Sequence, residues 1–144
     1  MSVSSAADDI RRFRLLVGMA ATLLTDATAH RAAGDPETAN ASAIEGLETM
    51  ERLARVYCAS AEFQATELGE RPALVLAGDH IAVERLGALS SAVAGCEAIS
   101  AASRKVLTGD LRRLQNREPA AAASLMARSK AAARRIKAIT GRKV

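Results

Sequence analysis

Only three prolines, Pro36, Pro72 and Pro119, interrupt this chain of 144 residues, and each stands between long Ala-rich stretches whose apolar positions recur at helical spacing. Proline is excluded from helix interiors but favoured in the first turn, where its missing N–H would have no partner anyway and its fixed φ suits the helix. Taking each proline as a helix start divides the chain into four helical segments. The composition fits this division. Hydrophobic residues make up 49% of the chain but aromatics only 2% (Phe13, Phe63 and Tyr57), so the apolar content is mostly Ala, Leu, Val and Ile. Alanine has the best helix propensity, and small side chains let helices approach closely. The aromatic and β-branched enrichment of a β-rich protein is missing. The expected fold is all-α, an elongated antiparallel helical hairpin or bundle of three long helices plus a C-terminal amphipathic helix. Residues 1–117 are expected to form the bundle and residues 118–144 the basic terminal helix.

Gly-Asp recurs at 34–35, 78–79 and 109–110. A phosphate-binding loop would need glycines at other spacings after a strand, and calcium or magnesium would need clustered carboxylates. The unequal spacing of the three pairs also argues against a solenoid repeat. The dipeptide therefore reads as punctuation. In RAAGDPETA, Gly34 suits the left-handed residue that ends a helix. Asp35 suits an N-cap, Pro36 the first helical position, and Glu37 the positive helix end. Gly109 is expected to end the third helix, with Asp110 capping a short turn before Pro119. Gly78 is expected to lie inside a continuous or bent third helix, because the phase Val75, Ala82, Leu86, Leu89, Val93, Cys96 runs through it.

The same periodicity assigns buried faces. On the first segment the face is Ile10, Phe13, Val17, Ala20 and Leu24. On the second, which runs from Pro36 to Leu68, it is Ala43, Leu47, Met50, Ala54, Tyr57, Ala61, Ala65 and Leu68. Cys58 and Cys96 fall on apolar phases and read as reduced, buried thiols. Glu48–Arg52 and Glu51–Arg55 have the i,i+4 order that supports an exposed helix face. RRFRLLVGMAATLLTDATA outlines a leader of the first 29 residues or so, but it also reads as an amphipathic helix. A cytoplasmic chain that keeps this segment is expected, with export as the alternative. The run is too short to span a bilayer, so no transmembrane segment is expected.

Little catalytic chemistry is legible. His30 is expected near a helix C-terminus, where positive charge is favoured. The His-x-x-Lys-Gly core of histidine phosphotransfer bundles is not matched, since Ala33 stands in the lysine position. His80 reads as a first-turn surface residue. No C-x-x-C motif and no Glu-x-x-His pair is present, so no catalytic residue, metal or cofactor is expected and the chain reads as a non-enzyme.

Charge is unevenly distributed along the chain. Residues 118–144 hold seven basic residues against one acid, while residues 1–117 hold thirteen against fifteen. In the terminal segment Leu125, Met126, Ala132, Ile136 and Ile139 form a thin apolar stripe, surrounded by Arg128, Lys130, Arg134, Arg135 and Lys137. Three readings stay open for it: a fourth bundle helix with a basic outer face, an amphipathic helix docking on a protein partner through Leu125, Met126, Ile136 and Ile139, or an anion-binding helix for nucleic acid or a membrane surface. No aromatic platform is available to stack bases, so any nucleic-acid binding would be weak, sequence-blind phosphate contact. The Ala-rich faces are compatible with a homodimer.

The stretches LLTDATAHRAAGDPETANASAIEGLETMERLA and ALVLAGDHIAVERLGALSSAVAGCE resemble flagellar export chaperones of the FlgN type, in which a first helix, a short turn and a second helix with leucines at helical spacing follow one another. The resemblance implies an elongated helical hairpin whose C-terminal amphipathic helix takes part in holding hook-associated export substrates. By position that role would fall to Leu125, Met126, Ile136 and Ile139. The function expected is a non-enzymatic protein-binding protein, a chaperone or adaptor, with nucleic-acid association through the basic segment as the alternative.

Overall fold

In the computed structural model, residues 6–63, 80–116, 118 and 120–141 are described, and every regular element among them is an α-helix. They are α1 (Ala6–Ala32), α2 (Pro36–Phe63), α3 (His80–Gly95), α4 (Ala101–Gln115) and α5 (Ala120–Gly141). The continuity expected through Gly78, the start at Pro72 and the end of the second segment at Leu68 lie outside the described residues.

The junction between α1 and α2 follows from its residues. Gly34 adopts φ 84°, a backbone region that side chains with a Cβ rarely enter. The turn lets Gly34 N donate to Arg31 O (3.1 Å) and Asp35 N to His30 O (2.9 Å), satisfying carbonyls at the end of α1. The Asp35 carboxylate accepts from Thr38 N at 3.1 Å and so caps α2, which begins at Pro36. Hydrogen bonds from the Thr38 side chain and backbone hold the Asp35 carboxyl below its ordinary value of 3.8. The chain reverses here, and α1 packs antiparallel along α2. Phe13 meets Tyr57 with ring centroids 5.8 Å apart, while further along Ser42 Oγ donates to Leu23 O at 2.6 Å.

Between His80 and Gln115 the third segment forms two helices rather than one, because the chain turns at Cys96–Ser100. Cys96 N donates to Val93 O and Ile99 N to Cys96 O, both at 3.1 Å, and Cys96 and Ile99 anchor the turn in the core. Other elements satisfy the last carbonyls of α3: Arg104 Nη1 donates to Ala94 O (3.1 Å) and Thr28 Oγ1 to Gly95 O (3.3 Å). Ser100 then caps α4, its hydroxyl accepting from Ser103 N at 3.3 Å.

Gly109 and Asp110 do not end a helix; both lie inside α4. Burial of Leu107, Leu111 and Leu114 carries that helix through the glycine to Gln115, and Asn116 forms its C-cap. Packing of an apolar face outweighs the roughly 1 kcal/mol that a glycine costs a helix interior relative to alanine.

α1 packs on α2 and α3, α2 also on α5, and α4 joins α3 to α5, so the helices close a ring around one core. Where their burial is described, the expected positions are buried there, apart from Ile10, which is partly buried; Ala61, Ala65, Leu68 and Val75 lie outside that description. Phe13, Val17, Ala20 and Leu24 come from α1, Leu47, Met50, Ala54 and Tyr57 from α2, and Leu86, Leu89 and Val93 from α3. The apolar run at 15–24 lies inside α1 and supplies Leu16, Val17, Ala20 and Leu24 to the core. Gly46 marks the closest approach of α1 and α2, since a Cβ there would lie 2.8 Å from Leu24 Cδ2. Burial pushes the Tyr57 hydroxyl up to about 12 and also raises the Cys96 thiol. Neither cysteine is in a disulfide; Cys96 is buried as expected, whereas Cys58 is only half-buried.

Candidate partner-binding site

α5 is held by one helix on each side. On the α4 side, Asp110 is almost fully buried, with 1% of its side chain exposed. Its carboxylate accepts from Ser124 Oγ at 2.9 Å and from Arg128 Nη1 at 3.3 Å, and Arg113 Nη1 stands 3.9 Å away. Two turns before Asp110 on α4, Ser103 Oγ accepts from Arg135 Nη1 at 3.4 Å. On the α2 side, Lys137 Nζ reaches Glu48 Oε2 at 3.2 Å. Glu48 thus pairs across helices rather than with Arg52, because packing of α5 on α2 brings the lysine to it. The other i,i+4 pair forms as expected, Arg55 Nη2 to Glu51 Oε1 at 2.9 Å.

These contacts divide the residues expected to bind a partner. Leu125 and Ile136 are buried in the core, and Met126 packs against its edge. Ile139 alone of the four is exposed, at 60%. The thin stripe served intramolecular packing over most of its length and emerges only near the C-terminal end of α5. Among the cations, Lys130 and Arg134 face outward, while Arg128, Arg135 and Lys137 are exposed but engaged with Asp110, Ser103 and Glu48.

Around Ile139 the structure assembles an apolar recess that the sequence does not bring together. The turn ending in Ser100 packs beside the last turns of α5, enclosing a cavity of about 300 Å³ lined by Ala98, Ile99, Ser103, Arg135, Ile136 and Ile139. Its lining is mostly aliphatic, with Ser100, Ser103 and Arg135 as the polar members. Such a recess can take an aliphatic or aromatic side chain with a carboxylate placed near Arg135. Ile99 could have been found from the Gly-Cys-Glu-Ala-Ile-Ser turn, in which two apolar residues are followed by an N-capping serine.

A second feature is on the outer side of α1. Leu15 is 60% exposed and Met19 40% exposed, and both border an open groove of about 840 Å³ between α1 and α2. Its α2 wall carries Glu45, Glu48, Thr49 and Arg52, and Arg85 of α3 closes one end. The signal in the sequence was surplus: the stretch from Leu15 to Leu24 holds more large apolar residues than one buried face of a helix can use.

Among the described residues, no three His, Cys, Asp or Glu side chains gather as a metal site, and no helix is long and apolar enough to cross a membrane. Comparison with known proteins finds no matching family, no matching curated protein and no matching solved structure.

Proposed function

We propose that the protein is a helical partner-binding protein of the adaptor or chaperone kind, which holds an acidic, apolar segment of another protein at the C-terminal end of α5. The observation that carries this reading is Ile139, a large aliphatic side chain 60% exposed beside a mostly apolar recess that Arg135 also lines. An exposed isoleucine on its own needs no explanation, but one that borders a concave apolar site with a fixed charge has the make-up of an anchor position. Lys130 and Arg134 on the outward face add positive potential that would steer an acidic segment to the site. Leu125, Ile99 and Ile136 support the site from beneath, as part of the core, so docking passes to Ile139. An export chaperone holding a hook-associated client is the specific case implied by the resemblance of the two quoted stretches to the FlgN type.

Nucleic acid is the competing partner. Arg128 and Lys137 are already paired with Asp110 and Glu48, which reduces the positive charge left for phosphates. Extract of the source organism, treated with nuclease and passed over the full chain and over Ile139→Asp, separates the two. A discrete protein that stays on the full chain through a high-salt wash and is lost from Ile139→Asp supports the proposal. Bound material that disappears on nuclease or salt treatment, with no dependence on Ile139, transfers the α5 cations to nucleic acid.

A further inference from the structure

Gly18, in the middle of α1, has no reason within the chain to be glycine. Glycine weakens a helix interior relative to alanine, and a Cβ built at Gly18 meets nothing within 4 Å. Gly46 differs, since Leu24 fills the space its Cβ would need. Beside Gly18 lie the two exposed apolar side chains of the groove, Leu15 and Met19.

The charges around this apolar centre are ordered. On α1, exposed Arg11 stands one turn before Leu15, itself paired with Asp8, and exposed Asp26 stands one turn after Thr22. On α2, Glu45 and Arg52 lie two turns apart on the groove wall, about 10 Å along the helix. The helices are antiparallel, with Ser42 bonded to Leu23 O, and Arg85 Nη1 donates to Arg14 O at 3.1 Å. Asp26 and Glu45 therefore mark one end of the face, and Arg52 and Arg85 mark the other, with Arg11 beside them offset by Asp8. The midpoint of the α1 pair falls between Gly18 and Met19, and that of the α2 pair between Glu48 and Thr49. All four of these residues line the groove.

A face that is basic at one end, apolar in the middle and acidic at the other is complementary to a copy of itself turned through a two-fold axis at its centre. We propose that two copies of this chain form an isologous dimer through this face. α1 of each copy lies antiparallel to that of the other, with Leu15 and Met19 at the centre. Glu45 of each faces the partner's Arg52, and the two α1 backbones come closest at Gly18. The proposal is independent of the α4–α5 recess, whose lining shares no residue with the groove.

Sedimentation equilibrium of the full chain tests this, with a dimer of twice the 15.0 kDa chain mass expected. Met19→Glu, Arg52→Glu and Glu45→Arg should each weaken the dimer at least about tenfold while the helical circular dichroism of these exposed-site variants is unchanged. Glu45→Arg combined with Arg52→Glu in one chain should restore it. Mixing the Arg52→Glu chain with the Glu45→Arg chain should give a mixed dimer stronger than either variant with itself. A monomer at every concentration overturns the proposal. So does a dimer indifferent to Met19→Glu, or charge reversals that neither weaken separately nor recover together.

Discussion

Two glycines in one helical hairpin do opposite things, and the difference lies in what surrounds each. Gly46 is where Leu24 of α1 presses on α2, with Cδ2 at 2.8 Å and Cγ at 2.9 Å from a Cβ that glycine lacks. Leu24 is fully buried and has no room to withdraw. Gly46→Ala is therefore expected to destabilise the fold by about 1–3 kcal/mol through overpacking, outweighing the helix propensity that alanine adds. Gly18→Ala, with open space around it, is expected to stabilise the isolated chain by up to about 1 kcal/mol. Urea unfolding at a dilution where the chain is monomeric reads both. Equal effects of the same sign would mean that the close approach of α1 and α2 is misplaced. Position alone does not distinguish the two residues, because both stand mid-segment in the sequence, and only the packing of Leu24 separates them.

At the scale of elements, caps decide where helices begin and packing decides where they continue. Asp35 accepts hydrogen bonds from Thr38, and the resulting depression of its carboxyl pKa means that the folded state favours the ionised form. The sign follows: the stabilisation is present above the ordinary carboxylate value of 3.8 and is lost as pH falls through the lower folded value. Asp35→Ala should lower the thermal midpoint at neutral pH, and its gap from the unsubstituted chain should close as the solution is acidified below that range. A gap that stays constant with pH would show that the carboxylate is not the cap. This junction was legible because Gly34, Asp35, Pro36 and Glu37 each speak to a neighbouring backbone group. Gly109–Asp110 has the same two letters and a different outcome. The burial of Leu107, Leu111 and Leu114 overrides the glycine, and Ser124 and Arg128, more than ten residues away, take up the aspartate. The break at Cys96–Ser100 was missed for the converse reason. Cys96 continues the apolar phase of α3, and what stops the helix is side chains from α1 and α4 bonding its last carbonyls.

For the molecule as a whole, the five helices among the described residues share one core, and Tyr57 is the single tyrosine in it. Its hydroxyl is pushed up to about 12 by burial, so the folded state resists ionisation that the unfolded chain undergoes near 10. Stability is accordingly unaffected by this group below pH 10 and falls as pH rises from 10 towards 12. Tyrosinate absorbance should appear together with loss of helical circular dichroism in that window. Tyrosinate appearing near 10 with the helices intact would mean that the ring is accessible. The buried faces of α1, α2 and α3 could be read from periodicity alone, since 3.6-residue spacing depends only on local order. The two recessed surfaces could not. The α4–α5 recess joins Ile99 to Ile139, and the α1–α2 groove joins Met19 to Thr49, and no local pattern records which helices become neighbours. For the same reason the apolar stripe of the terminal segment divided, with Leu125 and Ile136 buried and Ile139 left exposed.

The most direct test of the central claim is a calorimetric titration of the purified client, once captured, into the full chain, Ile139→Asp and Arg135→Glu. If α5 holds an acidic, apolar segment at its C-terminal end, Ile139→Asp should weaken binding by at least about tenfold, the loss expected of an anchor residue. Arg135→Glu should weaken it too, with an effect that shrinks as salt is raised. Unchanged affinity in both variants would contradict the account and place the client on another face of the bundle.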